Sequence, residues 1–181
     1  MAPNATIYKA ELQVSDMDRH YYATHTLTLA CHPSETGERL MVRLLAFALY
    51  ADERLEFGKG LSNEEEPDLW RRNYAGEIEL LIELGQPDES RIRKACARAR
   101  QVVVVNYGGH AADVWWDKVA TSLARHRNLT VLDIPEATVR QLAELLERSM
   151  RLQVLVQDGE LQLMDGSRSV SVHARRRMGS D

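Results

Sequence analysis

Two acidic residues, Asp68 and Glu83, lie fifteen positions apart in segments whose pattern could bring their carboxylates together. Asp68 follows Pro67 on a short segment, and Glu83 stands near the end of the apolar run 78–84. A buried carboxylate is costly unless a metal ion, an arginine or a helix N-terminus offsets its charge. If the two segments form a hairpin, the pair makes a hard oxygen site that suits Mg²⁺.

Glu38 is a third acidic candidate. It precedes Met41 by three residues and Leu45 by seven, in a segment with helical periodicity, so we expect it on the buried face of a helix. There it could serve as an accessory ligand or orient a water molecule. Acidic residues near a helix start also complement the helix dipole, and that alternative stays open for Glu38 and Glu35.

The elements that must position these residues alternate between strands and helices. We predict strands at 6–14, 21–30, 67–71, 78–84, 102–105, 129–134, 152–156, 161–164 and around 170–172. We predict helices at 34–52, with Ser34 as N-cap, and at 89–100, 111–127 and 135–150. This order predicts an α/β fold with one mixed central sheet flanked by helices, and with antiparallel hairpins at both termini.

Composition limits the class of protein. The 181 residues predict a single domain over 1–181, with a disordered tail at about 174–181. No apolar run approaches the roughly 18 residues of a membrane span, and no signal peptide is visible, so we expect a cytoplasmic protein without a membrane partner. The net charge of −4 argues against a charge-driven grip on duplex DNA, although it does not exclude a small basic cleft.

Several passages together resemble the YaeQ family, nearly over the whole chain and in order. They are Ser15-Asp16-Met17-Asp18-Arg19, the segment 32–39 (HPSETGER), Leu61-Ser62 with Pro67-Asp68-Leu69-Trp70, and the segment 82–88 (IELGQPD). The resemblance implies a variant of the PD-(D/E)XK nuclease fold, with a restriction-endonuclease-like core. That superfamily hydrolyses nucleic-acid phosphodiesters with Mg²⁺, and Mn²⁺ is an alternative ion.

Carried over by position, the resemblance implies that Asp68 and Glu83 are the metal ligands and that Glu38 is the helical acid of some members. The motif lysine is replaced by Gly85. Gln86 could orient a water molecule, and Lys94 on the following helix could supply the missing cation, as could Arg91.

Two functions therefore stay open. One is a Mg²⁺-dependent nucleic-acid phosphodiesterase with a variant active site. The other is a non-catalytic module of the same fold that binds nucleic acid or protein. A basic set on the predicted helix 89–100 could contact a phosphate backbone in either case; it comprises Arg91, Arg93, Lys94, Arg98 and Arg100.

Overall fold

A computed structural model describes residues 4–59 and 65–179 of the chain. The Leu61-Ser62 passage and the last two residues of the predicted tail lie outside them. In chain order the described residues form β1 (Thr6–Asp16), β2 (Tyr21–Cys31), α1 (Gly37–Leu49), β3 (Leu55–Phe57), β4 (Leu69–Arg72), β5 (Ile78–Leu84), α2 (Glu89–Arg98), β6 (Ala99–Asn106), α3 (His110–Leu123), β7 (Leu129–Asp133), α4 (Glu136–Ala143), β8 (Ser149–Gln157), β9 (Glu160–Met164), β10 (Ser169–Val172) and β11 (Arg175–Met178).

The predicted central sheet has six strands in the order β11-β7-β6-β5-β4-β3. Strands β5, β6 and β7 are parallel, whereas β3, β4 and β11 run antiparallel to their neighbours. The sheet is therefore mixed, as predicted. Both faces of β6 are covered, which explains its uninterrupted run of valines.

Helices lie on both faces of this sheet. Leu80 and Ile82 of β5 belong to a large core cluster with α1 and α4, while Leu81 packs with Ile92 of α2 and Leu123 of α3. Alternating side chains of one strand thus reach two different cores. Glu83 has the same parity as Leu81, so its side chain lies on the α2 side.

The terminal hairpins do not add to the central sheet. They build a second, five-stranded mixed sheet in the order β10-β9-β8-β1-β2, in which β1 pairs in parallel with β8. The expectation of one sheet was wrong in this respect, because parallel pairing of the two ends of the chain leaves no local signal in the sequence. The fold is mixed α/β with two sheets and, in the described residues, four helices.

The bounds of the helices differ from the predicted ones at their ends. Thr36, not Ser34, is the N-cap of α1, and its hydroxyl accepts from the N–H of Arg39 at 3.1 Å. Ser34 instead contacts the ring of His32. Helix α4 ends at Ala143, earlier than predicted, because β8 must begin at Ser149 to pair with β1.

The predicted disordered tail contains a strand. β11 pairs antiparallel with β7, and Arg177 forms ion pairs with Asp133 and Asp113. The prediction was wrong for these residues because strand pairing and ion pairs outweigh the polar composition of the segment. Among the described residues, none of the helices has the length and hydropathy of a membrane span.

Candidate functional site

The two candidate carboxylates meet at one end of the central sheet. Leu69 pairs with Ile82 and Trp70 with Leu81, and continuing this register by one position places Asp68 opposite Glu83. Directly opposite residues of an antiparallel pair project to the same side. The structure thus brings Asp68 and Glu83 together, at the carboxyl end of β5, as the hairpin hypothesis required.

Glu83 is buried, with 4 % of its surface exposed. Its Oε1 accepts from Nε of Arg91 at 2.9 Å, so a cation on α2 partly balances its charge. Burial and the nearby negative charge of Asp68 nevertheless raise the pKa of Glu83 to about 7, against the lowering effect of Arg91. A hydrogen bond between the two carboxyl groups acts in the same direction as burial.

Asp68 is fixed by two donors. Its Oδ1 accepts from the Arg39 guanidinium at 2.5 Å, and its Oδ2 accepts from the backbone N–H of Leu84 at 2.8 Å. Burial would lower the pKa of Arg39, but the charge and hydrogen bond of Asp68, together with Glu35, raise it above its usual value. Arg39 therefore stays charged beside the acidic pair.

A chain of alternating charges extends from this pair into the core. Glu35 contacts Arg39 at 3.0 Å and Arg43 at 2.7 Å, and the side chains of Glu35 and Arg43 are almost completely buried. Glu35 thus takes the position near the site that was expected for Glu38. The expectation of a buried Glu38 was wrong: it lies in the first turn of α1 but faces solvent. An accessory role for Glu38 stays a prediction.

Gly85, where the resemblance implies that a motif lysine is replaced, lies outside the strand. β5 ends at Leu84, and Gly85 has φ of +84°, a left-handed conformation that glycine adopts without a steric penalty. A lysine here would be strained and would not continue the alternation of β5. The backbone thus explains why glycine stands at this position.

Gln86 is held at the carboxyl end of β6. Its amide nitrogen donates to Oδ1 of Asn106 at 2.6 Å and to the carbonyl of Tyr107. Because the nitrogen is engaged, only the amide oxygen of Gln86 could orient a water molecule. That role stays a prediction.

Lys94 lies beside the site. It is exposed on α2 and lines the same cavity of about 590 Å³ as Glu83 and Arg91. The other charged lining residues are Glu65, Asp88 and Arg98. The cavity therefore offers three cations next to a carboxylate whose ionisation is costly.

The donor set fits a hard divalent cation. Two adjacent carboxylates match Mg²⁺, which takes one or two protein carboxylates and keeps several waters. Among residues 4–59 and 65–179, no group of three or more acidic, histidine or cysteine side chains is arranged for a metal ion. An ion at Asp68 and Glu83 would complete its shell with solvent or substrate oxygens.

Sequence reasoning missed Arg39 and Asn106. Arg39 lies four residues before Arg43; Arg39 donates to Asp68, and Arg43 donates to Glu35 behind it. The i,i+4 arginines next to a core stripe were the available signal. Asn106 is fully buried at the end of β6 and connects Gln86 to Asp133 of β7. A polar residue ending an otherwise apolar strand was the signal there.

Comparisons with known proteins agree in covering nearly the whole chain. The model of the family described as "YaeQ protein" matches residues 1–174. "Uncharacterized protein YaeQ" of Salmonella typhi is 47 % identical over 172 residues, which is 95 % of both chains. The protein of that name from Escherichia coli (strain K12) is 44 % identical over 173 residues, 96 % of both chains.

Two crystal structures have the same fold. The YaeQ protein of Xanthomonas axonopodis pv. citri has a TM-score of 0.94 and 57 % identity, covering 97 % of this chain and 99 % of that one. The YaeQ protein of Pseudomonas syringae has a TM-score of 0.93 and 34 % identity, covering 97 % of each. The chain belongs to the YaeQ family.

Proposed function

We propose that this protein is a Mg²⁺-dependent nucleic-acid phosphodiesterase of the PD-(D/E)XK type with a variant active site. The observation that carries the proposal is the pair of adjacent carboxyl groups, Asp68 and Glu83, in which burial and then the negative charge of Asp68 raise the pKa of Glu83 to about 7. Two adjacent carboxyl groups repel each other when both are ionised, and a bound proton or cation relieves this repulsion. A divalent cation would take the place of the shared proton.

Asp68 and Glu83 would hold this ion, Mg²⁺ or Mn²⁺. When bound, the ion supplies Lewis acidity toward the phosphate and lowers the pKa of a bound water. The hydrogen bonds from Arg39 and from the N–H of Leu84 hold the Asp68 carboxylate in its orientation. Arg91 does the same for Glu83 from α2. The pair is therefore preorganised from two helices and one strand.

Lys94 supplies the charge that the motif lysine provides elsewhere in the superfamily. It lines the cavity beside Glu83, together with Arg91 and Arg98. A lysine on a helix can stabilise charge developing on the scissile phosphate from a different direction than one on β5. Gln86 is the polar group at the strand end that could orient the attacking water, and Glu38 at the start of α1 is an accessory acid.

A non-catalytic module that binds nucleic acid or protein is the second candidate. Its support is the pairing of both carboxylates with arginines, because Arg39 and Arg91 already balance much of the charge. In that case the basic residues of the cavity would contact phosphates without hydrolysis.

A cleavage panel tests the proposal. Purified protein with Mn²⁺ or Mg²⁺ is incubated with single-stranded and double-stranded DNA and RNA. We expect slow cleavage of at least one substrate, loss of at least about 100-fold in Glu83→Ala, and a slower rate in Lys94→Ala. Lys118→Ala is the matched control, since Lys118 is an exposed lysine of α3 that does not line the cavity.

The outcomes separate the two candidates. Activity that survives Glu83→Ala would indicate a contaminating nuclease and contradict the assignment of the site. No cleavage of any substrate by folded protein that binds Mn²⁺ would contradict the catalytic function. Retention of the same nucleic acids in a binding assay would then favour the non-catalytic module.

A further inference from the structure

One sheet edge differs from the others in length and chemistry. Three edge strands of the two sheets are short: β3 has three residues, and β10 and β11 have four each. β2 has eleven residues, without a proline or a charged side chain. Proteins usually protect sheet edges by keeping them short or charged, because unpaired backbone groups pair with other chains. The edge at β2 has neither form of protection.

The backbone of β1 shows which groups of this hairpin point outward. The N–H of Lys9 donates to the carbonyl of Arg148 at 2.9 Å, and that of Met17 to Val156 at 2.8 Å. Odd-numbered residues of β1 are therefore directed toward β8. Because these directions alternate along a strand, the even-numbered residues of β1 are directed toward β2.

The register of the β1–β2 pair determines the same alternation in β2. Leu12 pairs with His25 and Ala10 with Leu27, so the odd-numbered residues of β2 bond to β1. The even-numbered residues direct their N–H and C=O groups away from it; they are Tyr22, Thr24, Thr26, Thr28 and Ala30. Arg43 donates to the carbonyl of Ala30 at 2.9 Å, as this direction requires.

The outward groups of Tyr22, Thr24, Thr26 and Thr28 are accessible. In the described part of the chain, only β1 is paired with β2 through backbone hydrogen bonds. The side chains of these four residues are also exposed, and Tyr22 has 57 % of its surface in contact with solvent. As far as the described residues extend, the edge is therefore free along nearly its whole length.

We propose that β2 pairs antiparallel with β2 of a second copy of this chain, about a two-fold axis at Thr26. In this register Thr26 faces Thr26 of the second copy, and Thr24 faces Thr28. The outward N–H and C=O groups of both copies then bond to each other. The two five-stranded sheets become one continuous ten-stranded sheet.

The sequence of the strand favours a second copy over a different partner. Threonines at 24, 26 and 28 are symmetric about Thr26, and cross-strand Thr–Thr pairs are stabilising. The absence of charged side chains means that no like charges meet across the axis. Two-fold dimers with isologous interfaces are also the commonest soluble homo-oligomers. This inference is independent of the proposed catalytic function.

Sedimentation equilibrium and amide exchange by NMR test the pairing. We expect a dimer, with slowly exchanging amides at Thr24, Thr26 and Thr28. Thr26→Pro removes one outward N–H per copy without removing a bond to β1, and we expect at least a roughly tenfold increase in the dimer dissociation constant. Thr26→Val keeps the N–H and is the matched control, which should stay dimeric.

Charged substitutions of Thr26 provide a second test, which does not depend on whether the proline variant folds. Thr26→Lys and Thr26→Glu should each weaken the dimer, because like charges meet at the axis, and an equimolar mixture should form a heterodimer. A monomer with freely exchanging edge amides would overturn the proposal, as would a dimer that survives Thr26→Pro unchanged. Protected edge amides in a protein that sediments as a monomer would also overturn it and point to another occupant.

Discussion

Glu83 is subject to opposing influences. Burial and the charge of Asp68 favour its neutral form, while the ion pair with Arg91 favours the carboxylate. The result is a group that changes charge near neutral pH. Asp68, in contrast, has both oxygens engaged by donors on α1 and at the end of β5. The two acids of the pair are thus held in different ways, one by donors and one largely by burial.

Glu83→Gln tests this difference through stability. Because the folded pKa of about 7 lies above the ordinary value of 4.5, the folded state holds a proton that the unfolded state has lost between these pH values. The contribution of Glu83 to the free energy of unfolding of the wild type therefore falls as pH rises through this window and is lowest above it. Glutamine keeps the uncharged shape at every pH. By urea unfolding, we expect the variant to gain roughly 2–3 kcal/mol over wild type at about pH 8 and little at about pH 5.

Glu79→Gln is the control for that series. Glu79 lies on the same strand, and the hydrogen bond from Arg54 lowers its pKa, so it stays ionised across the window. Its stability difference from wild type should not change between these two pH values. A Glu83→Gln difference that is equally flat would contradict the raised pKa of Glu83.

The helices and strands around the site bring charged side chains to it that no single sequence motif identifies. Helix α1 brings Arg39 to Asp68. Thr36 caps the first turn of this helix, which fixes the position of Arg39, and the other faces of the helix are buried between the two sheets. The strand β5 and its face alternation could be predicted from the sequence, since they depend on a local period of two. The start of α1 could not, because two hydroxyl residues, Ser34 and Thr36, both fit an N-cap.

Thr36→Ala tests the assignment of this helix start. Loss of the hydroxyl leaves the N–H of Arg39 without its capping acceptor, and we expect a loss of about 1 kcal/mol in the free energy of unfolding. Ser34→Ala should change it by less than about 0.5 kcal/mol, since Ser34 is exposed and outside the helix. Chemical denaturation of both variants measures the two changes in the free energy of unfolding. A larger loss in Ser34→Ala would contradict the cap at Thr36.

At the scale of the whole molecule, the two sheets share one core through α1. Residues of β1, β8, α1 and β5 belong to the same buried cluster. The sequence predicts the hairpins and the central strands, because both leave local patterns. It does not predict the parallel pairing of β1 with β8 or the antiparallel pairing of β11 with β7, because these pairs join residues far apart in the chain. The role of Asn106 could not be predicted for the same reason, because its hydrogen-bond partners come from three separate segments.

Truncation tests the role of β11. A chain that ends at Ala174 loses the ion pairs of Arg177 and the packing of Met178 against the core beside α2 and α3. We expect its free energy of unfolding to fall by about 1–3 kcal/mol in chemical denaturation. A chain that ends at Met178 keeps β11 and should match the full-length protein. Equal stability of both truncated chains would support the disordered tail that the sequence predicts.

The proposed function requires that Asp68 and Glu83 together bind a divalent cation. Isothermal titration of the protein with Mn²⁺ and Mg²⁺ at about pH 8, where Glu83 is ionised, tests it most directly. We predict weak binding to the wild type, none to Asp68→Asn, and wild-type affinity in Glu79→Gln, which removes an acid of the same strand outside the pair. Equal affinity of the wild type and Asp68→Asn would place the ion elsewhere and contradict a metal site at Asp68 and Glu83.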